Sequence, residues 1–99
     1  MVTKKKTPSS KIKSEPHLFM FNGEDCAHCR NMDSLVTKLE KELKVHVAKL
    51  EVWNNSKNAE LLEKLDDGKC GGVPFFWNAK KRTWICGETD YDELKAWAK

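Results

Sequence analysis

Two cysteines three positions apart are the residues of this sequence best suited to chemistry. The segment reads Cys26-Ala27-His28-Cys29 and stands between an apolar run and a stretch of helical periodicity. In that setting, a Cys-x-x-Cys spacing is typical of thiol–disulfide exchange. The first cysteine would lie at a helix N-terminus, where unpaired backbone N–H groups and the helix dipole favour a thiolate. We therefore expect Cys26 to be the nucleophile and Cys29, one turn further into the helix, to be the resolving thiol.

Charged side chains around this pair act in opposite directions. A protonated His28 would stabilise the Cys26 thiolate, and therefore the reduced pair, which makes the disulfide form more oxidising. Glu24 and Asp25 would disfavour the thiolate, because they place negative charge just before Cys26. The sequence leaves the balance between these effects open.

The elements that must position the pair follow from the periodicity of apolar residues. The predicted elements are, in order, a strand over 17–21, a helix from Cys29, a strand over 45–53, a helix after Asn54-Asn55-Ser56 that stops at 66–68, strands over 75–77 and 83–86, and a helix that begins at Asp90. The order β-α-β-α-β-β-α predicts an α/β fold. Its first two strands should be parallel through a right-handed crossover, and its last two should form an antiparallel hairpin.

Length and charge describe one domain with a basic tail. The chain has 99 residues, room for a single core. Residues 1–16 carry five lysines against one acid, so they hold +4, and residues 17–99 hold the −1 that completes the net charge of +3. We expect 1–16 to be disordered, because it has too few apolar side chains to offset the entropy of ordering, and 17–99 to be the folded domain.

The same pattern excludes several classes of function. The domain itself is not basic, which argues against nucleic-acid binding, and no apolar run is long enough for a membrane helix. The lysines of 1–16 are not followed by the apolar segment of a secretory signal. We expect a monomeric cytoplasmic protein, or an organellar one if a leader has been removed.

Residues 17–99 resemble the thioredoxin superfamily in its minimal, glutaredoxin-sized form. The resemblance rests on Cys26-Ala27-His28-Cys29 together with Val73-Pro74 at the expected separation. It implies a thioredoxin-like fold with a mixed four-stranded sheet and no cofactor. It also implies that Pro74 has a cis peptide bond and faces the cysteines, and that the backbone of Val73 pairs with the substrate chain. Ala27 and Gly87 are the other implied substrate-binding residues, since Gly87-Glu88-Thr89-Asp90 is similar to half of the glutaredoxin signature that holds glutathione.

The sequence departs from the family pattern at several positions. Met20 stands where thioredoxins carry a buried aspartate, and Ala48-Lys49-Leu50 resembles the strand whose lysine pairs with that acid. We therefore expect Lys49 to lack its partner, and proton transfer to Cys29 to use His28, an exposed acid or water. Asp25 stands directly before the first cysteine, where the family usually has a tryptophan.

Two further cysteines, Cys70 and Cys86, are expected to border the substrate groove beside Pro74. They could form a second disulfide, act as regulatory or resolving thiols, or be small buried apolar residues, and the last reading is favoured for Cys86. A zinc site that uses them with the motif cysteines is disfavoured, because only one close pair exists.

The leading hypothesis is a thiol–disulfide oxidoreductase that acts on protein disulfides and is recharged by an unidentified reductase. A glutathione-dependent activity and a non-catalytic module that binds a peptide in the Pro74 groove are the alternatives. Four tryptophans fall on predicted strands or an apolar helix face, so we expect them to pack in the core rather than to stack on nucleic-acid bases: Trp53, Trp77, Trp84 and Trp97.

Overall fold

Three helices and four strands follow one another in the predicted order. A computed structural model describes residues 17–99, so the tail predicted over 1–16 lies outside the described residues. The elements are β1 (Leu18–Asn22), α1 (Ala27–Leu43), β2 (Val47–Glu51), α2 (Ser56–Asp66), β3 (Phe75–Asn78), β4 (Thr83–Cys86) and α3 (Tyr91–Ala98). None of these helices is both long enough and apolar enough to cross a bilayer.

The strands form one mixed sheet in the order β2-β1-β3-β4. β1 is parallel to β2 and antiparallel to β3, and β3 is antiparallel to β4. Because β1 and β3 run in opposite directions, the end of β1 and the start of β3 lie side by side, with Phe21 opposite Phe75. The chain that leaves β1 toward Cys26 therefore meets the chain that enters β3 from Pro74.

Each face of the sheet has its own apolar cluster, as the alternation of side chains along a strand requires. Leu18, Met20 and Phe76 face α1 and α3, and the Phe76 ring meets Trp97 edge to face at a centroid distance of 5.4 Å. Phe21 and Phe75 face the other way, toward α2. Each of these fully buried side chains contributes about 2 kcal/mol to folding.

The last two helices begin within their predicted capping signals, which are Asn54-Asn55-Ser56 for α2 and Asp90 for α3. Asn55 caps α2, and its side chain accepts a hydrogen bond of 3.0 Å from the Asn58 N–H. Asp90 caps α3, and its carboxylate accepts a hydrogen bond of 2.8 Å from the Glu93 N–H. A side-chain oxygen at this position satisfies a backbone donor that the helix leaves free.

The prediction that all four tryptophans pack in the core is wrong for two of them. Trp97 is buried and Trp77 is half-buried, but Trp53 and Trp84 are 56% and 43% exposed. Trp84 lies on β4 and Trp53 follows β2, the two edge strands, where part of each ring faces solvent. The Trp53 ring lies directly against Gly23, where a Cβ atom would overlap it.

Two side chains of α3 bind one glutamate of α1 and so hold the two helices together. The Tyr91 hydroxyl donates to Glu42 at 2.6 Å, and the Lys95 ammonium pairs with the same carboxylate. The bond from Lys95, followed by that from Tyr91, lowers the pKa of Glu42. Desolvation, with the Glu42 carboxylate as the second cause, raises the pKa of Tyr91 to about 12.

Tyr91 is expected to ionise near pH 12 in the folded protein. It is the single tyrosine of the chain, so tyrosinate absorbance follows this group alone. Because folding raises its pKa from 10.0 to about 12, the stabilisation linked to its proton is complete below pH 10 and is lost as the pH rises toward 12. A Glu42→Gln variant should move the midpoint part of the way back, and a wild-type midpoint near 10 would contradict the prediction.

Candidate active site

The predicted nucleophile lies at the point where the chain turns from β1 into α1. The Cys26 N–H donates to the Gly23 carbonyl at 3.2 Å, and Cys26 is the N-cap of α1. Its Sγ accepts a hydrogen bond of 3.1 Å from the Cys29 N–H, and a disulfide joins the two cysteines across a Cα–Cα distance of 5.2 Å. Once the pair is reduced, this N–H and the helix dipole stabilise negative charge on the Cys26 sulfur.

The prediction that α1 begins at Cys29 is wrong by two residues, since α1 begins at Ala27. The apolar periodicity misses this first turn because Ala27 and His28 are exposed and leave no buried stripe. Cys26 and Cys29 are both buried, with 6% and 3% of their surface exposed. Exposure therefore does not indicate which cysteine is the nucleophile. The hydrogen bond from the Cys29 N–H does, because the Cys26 sulfur accepts it.

The Val73–Pro74 segment faces the first cysteine. The Val73–Pro74 peptide bond is cis, and the Val73 carbonyl oxygen lies 4.0 Å from Cys26 Sγ. The Gly87 N–H donates to the Pro74 carbonyl at 2.8 Å. Within residues 17–99, neither the N–H nor the carbonyl of Val73 takes part in a backbone–backbone hydrogen bond. The structure thus brings the Val73–Pro74 segment beside Cys26 and joins it to Gly87, and among residues 17–99 Val73 has no backbone partner.

His28 points across to the loop before α3. Its Nδ1 contacts a carboxylate oxygen of Glu88, and the Asn31 side-chain amide donates to the same oxygen at 3.2 Å. The bond with His28, followed by that with Asn31, lowers the pKa of Glu88. The sequence does not reveal Glu88 as a partner of His28, because the two residues are 60 positions apart. Part of any charge on the imidazole is therefore compensated before it acts on Cys26.

A second carboxylate braces the turn that precedes Cys26. Glu51, at the end of β2, accepts hydrogen bonds from three backbone N–H groups, those of Glu24 at 3.1 Å, Trp53 at 2.9 Å and Asn54 at 2.8 Å. The Glu24 carboxylate in turn accepts a bond of 2.6 Å from the Asn54 side chain. These contacts fix the β1–α1 turn to the end of β2. The sequence does not reveal this role of Glu51, because the periodicity of β2 does not indicate which backbone groups its side chain reaches.

Lys49 has Met20 beside it in place of the acid of the family pattern, and it pairs with an acid on α1 instead. Met20 is fully buried, and Lys49 lies beside it in the parallel register of β1 and β2. The Lys49 ammonium reaches Asp33 on α1 at 3.0 Å, where the two side chains are 39% and 48% exposed. Transfer of the Cys29 proton through His28, an exposed acid or water stays a prediction.

Cys70 and Cys86 form a second disulfide, with a Cα–Cα distance of 5.5 Å. The interpretation of Cys86 as a buried apolar residue is wrong, because Cys86 ends the edge strand β4 and is exposed. Its partner on β3 is Phe75, the residue after Pro74. The bridge therefore ties the segment before Pro74 to the end of β4, the second strand of the β3–β4 hairpin. Within residues 17–99, no three His, Cys, Asp or Glu side chains are grouped so as to hold a metal ion.

Comparison with known proteins places this arrangement in a family. The thioredoxin family model matches residues 1–99. The chain belongs to the thioredoxin family. The thioredoxin-like α/β fold predicted from the motifs is thereby confirmed, and the Cys26–Cys29 pair of this thioredoxin-family chain supports thiol–disulfide oxidoreductase chemistry in general.

A solved structure shows the same fold. The crystal structure of a glutaredoxin from Archaeoglobus fulgidus is similar with a TM-score of 0.61, and the match covers 88% of this chain and 90% of that one. The two sequences are 14% identical, so the similarity is one of fold. No curated protein matches the chain by sequence.

Proposed function

We propose that this protein exchanges disulfides with protein substrates through Cys26 and Cys29, with Cys26 as the nucleophile. The position of the Cys26 sulfur carries the proposal. It lies 3.1 Å from the Cys29 N–H at the start of α1 and 4.0 Å from the carbonyl of Val73. One neighbour stabilises a thiolate, and the other belongs to Val73, which has no backbone partner within residues 17–99 and can hold a polypeptide.

The reaction begins from the reduced pair. The Cys26 thiolate attacks one sulfur of a substrate disulfide, the substrate S–S bond breaks, and the departing sulfur leaves as a thiolate that takes up a proton. Cys29 then loses its proton and attacks the Cys26 sulfur, which releases the second substrate sulfur. Two electrons have passed to the substrate, and the Cys26–Cys29 disulfide present in the structure is the product. A reductase that supplies a dithiol returns the pair to its reduced form.

The substrate chain is proposed to lie along Val73. Its backbone would pair with the N–H and carbonyl of Val73, which have no backbone partner within residues 17–99, as an extended peptide does when it adds to the edge of a sheet. Pro74 and Gly87 shape the floor beside it, and the exposed Ala27 borders it from α1. We assign to His28 the role of stabilising the Cys26 thiolate by its charge, with Glu88 holding the imidazole. The sequence alone supports the accompanying proposals of a monomer, a cytoplasmic location and an external reductase.

Cys29→Ser should trap the reaction half-way. Without the resolving thiol, a disulfide-bridged peptide is expected to stay attached to Cys26 as a mixed disulfide, visible as an added peptide mass in a non-reducing mass spectrum and mapped to Cys26 by proteolysis. The control is the same variant with Cys26 alkylated by iodoacetamide beforehand, which should form no adduct.

Two results would contradict the proposal. Attachment of the peptide at Cys70 or Cys86 would show that the other disulfide is the exchanging one. An adduct with oxidised glutathione and none with the peptide would favour the glutathione-dependent alternative.

A further inference from the structure

Asp66 is an unusual residue for the end of an exposed helix. Of the residues of α2, it is the one that is buried, with 7% of its surface exposed. Its carboxylate accepts hydrogen bonds from the backbone N–H groups of Cys70 and Gly71, the latter at 2.7 Å. A buried carboxylate is costly unless such donors satisfy it, so this side chain is committed to these two contacts.

The two donors open the segment that leads to the cis proline. Asp67, Gly68 and Gly71 have φ angles of 48°, 79° and 81°, so the chain doubles back over the end of α2. Packing does not hold the two glycines of this stretch, since a Cβ atom built on Gly71 or Gly72 would meet nothing within 4 Å. At these glycines the Asp66 bonds and the neighbouring disulfide therefore supply restraint that side-chain packing does not.

Fixing this segment fixes the backbone that faces Cys26. Val73 follows directly, and it packs against both apolar clusters, one on each side of the sheet. The Gly87 N–H holds the segment at its other end, through the Pro74 carbonyl. Asp66 anchors the first end and Gly87 the last, with Val73 between them.

We propose that Asp66 is a positioning residue, which holds the Val73 backbone ready to pair with a substrate chain and so favours polypeptide disulfides over small ones. The inference rests on the proposed function. A small disulfide needs only the sulfur of Cys26. A polypeptide also needs the Val73 N–H and carbonyl at fixed positions. Only polypeptide turnover therefore depends on the Asp66 hydrogen bonds.

Asp66→Asn tests the inference, with Asp67→Asn as the matched control. Asparagine has nearly the same shape but one acceptor oxygen, so its amide would face one of the two backbone donors. Asp67 is exposed, and its backbone has the left-handed conformation, which asparagine adopts readily. Asp66→Asn should lower kcat/KM for a disulfide-bridged peptide about tenfold, mainly through KM, because a hydrogen bond to a charged group is lost. Turnover of a small aryl disulfide by Asp66→Asn should stay within about twofold of the wild-type value. Asp67→Asn should leave the turnover of both substrates unchanged.

Other outcomes separate the inference from the function beneath it. An unchanged peptide KM, or an equal loss for both substrates, would overturn the positioning role while leaving the exchange activity intact. Peptide turnover absent from the wild-type protein would overturn the proposed function itself. Hydrogen exchange of the wild-type protein adds a measurement that needs no variant. The Cys70 and Gly71 amides should be protected although Gly71 is exposed, and exchange at the rate of an unfolded chain would overturn the anchor.

Discussion

Cys26→Ser should reduce turnover of a peptide disulfide by at least about a hundredfold, because a serine hydroxyl does not form the reactive anion that a thiol forms. The loss should be chemical and not structural. Serine is a favoured N-cap residue, so its oxygen can accept the Cys29 N–H that the Cys26 sulfur now accepts. The measurement is turnover with a dithiol as reductant, beside far-ultraviolet circular dichroism to show that α1 is intact.

A double variant provides the comparison for that result. Cys70→Ala with Cys86→Ala removes the same number of disulfides but keeps Cys26 and Cys29, and it should still turn over a small aryl disulfide. If Cys26→Ser retained more than about a tenth of the wild-type rate, another thiol would have to begin the exchange, and the role given to Cys26 would be wrong.

Removal of the Cys70–Cys86 disulfide should lower the free energy of unfolding by about 3 kcal/mol, since the bridge closes a loop across a sequence separation of 16. The effect arises mainly in the unfolded chain, which gains conformational freedom once this loop is open. For a domain of this size, a loss of that magnitude lowers the melting temperature by about 10 to 20 °C. Urea unfolding of the Cys70→Ala, Cys86→Ala double variant against the wild-type protein measures it.

Excess reductant supplies the internal control for this prediction. Under reducing conditions both proteins lack the bridge, so their unfolding midpoints should coincide. A difference of less than about 1 kcal/mol under oxidising conditions would contradict the prediction, and it would mean that the hairpin already restrains these residues in the unfolded chain.

The order of the elements and the two halves of the site are readable from the sequence. Apolar periodicity and capping signals predict local structure, and α2 begins within the signal 54–56 and α3 at Asp90. The cysteine motif and Val73-Pro74 lie beside the neighbouring ends of β1 and β3, which explains why two short motifs suffice to locate the site.

The errors concern features that depend on the assembled fold. Whether Trp84 is buried depends on its strand being at an edge, and strand order is a property of the whole sheet. The pairing of Cys70 with Cys86 is one of several connectivities that four cysteines allow, and sequence does not choose among them.

The bracing carboxylates are hidden for a related reason. Glu51 binds the Glu24 N–H and Glu88 binds Asn31, groups that reach them only after the chain has folded, and Asp66 binds N–H groups of a turn that periodicity does not predict. In the sequence, Asp66 looks like one of two acids that end a helix, and the others look like ordinary surface charges.

The antiparallel register of β1 and β3 has a practical consequence. Leu18 is paired with Asn78 and Phe21 with Phe75, so the β3–β4 turn at 79–82 and the reactive sulfurs occupy opposite ends of the sheet. Three residues of strand separate those two pairs by about 10 Å. A fluorophore or a short affinity tag grafted into that turn would report on the protein, or tether it to a surface, without obstructing incoming polypeptides.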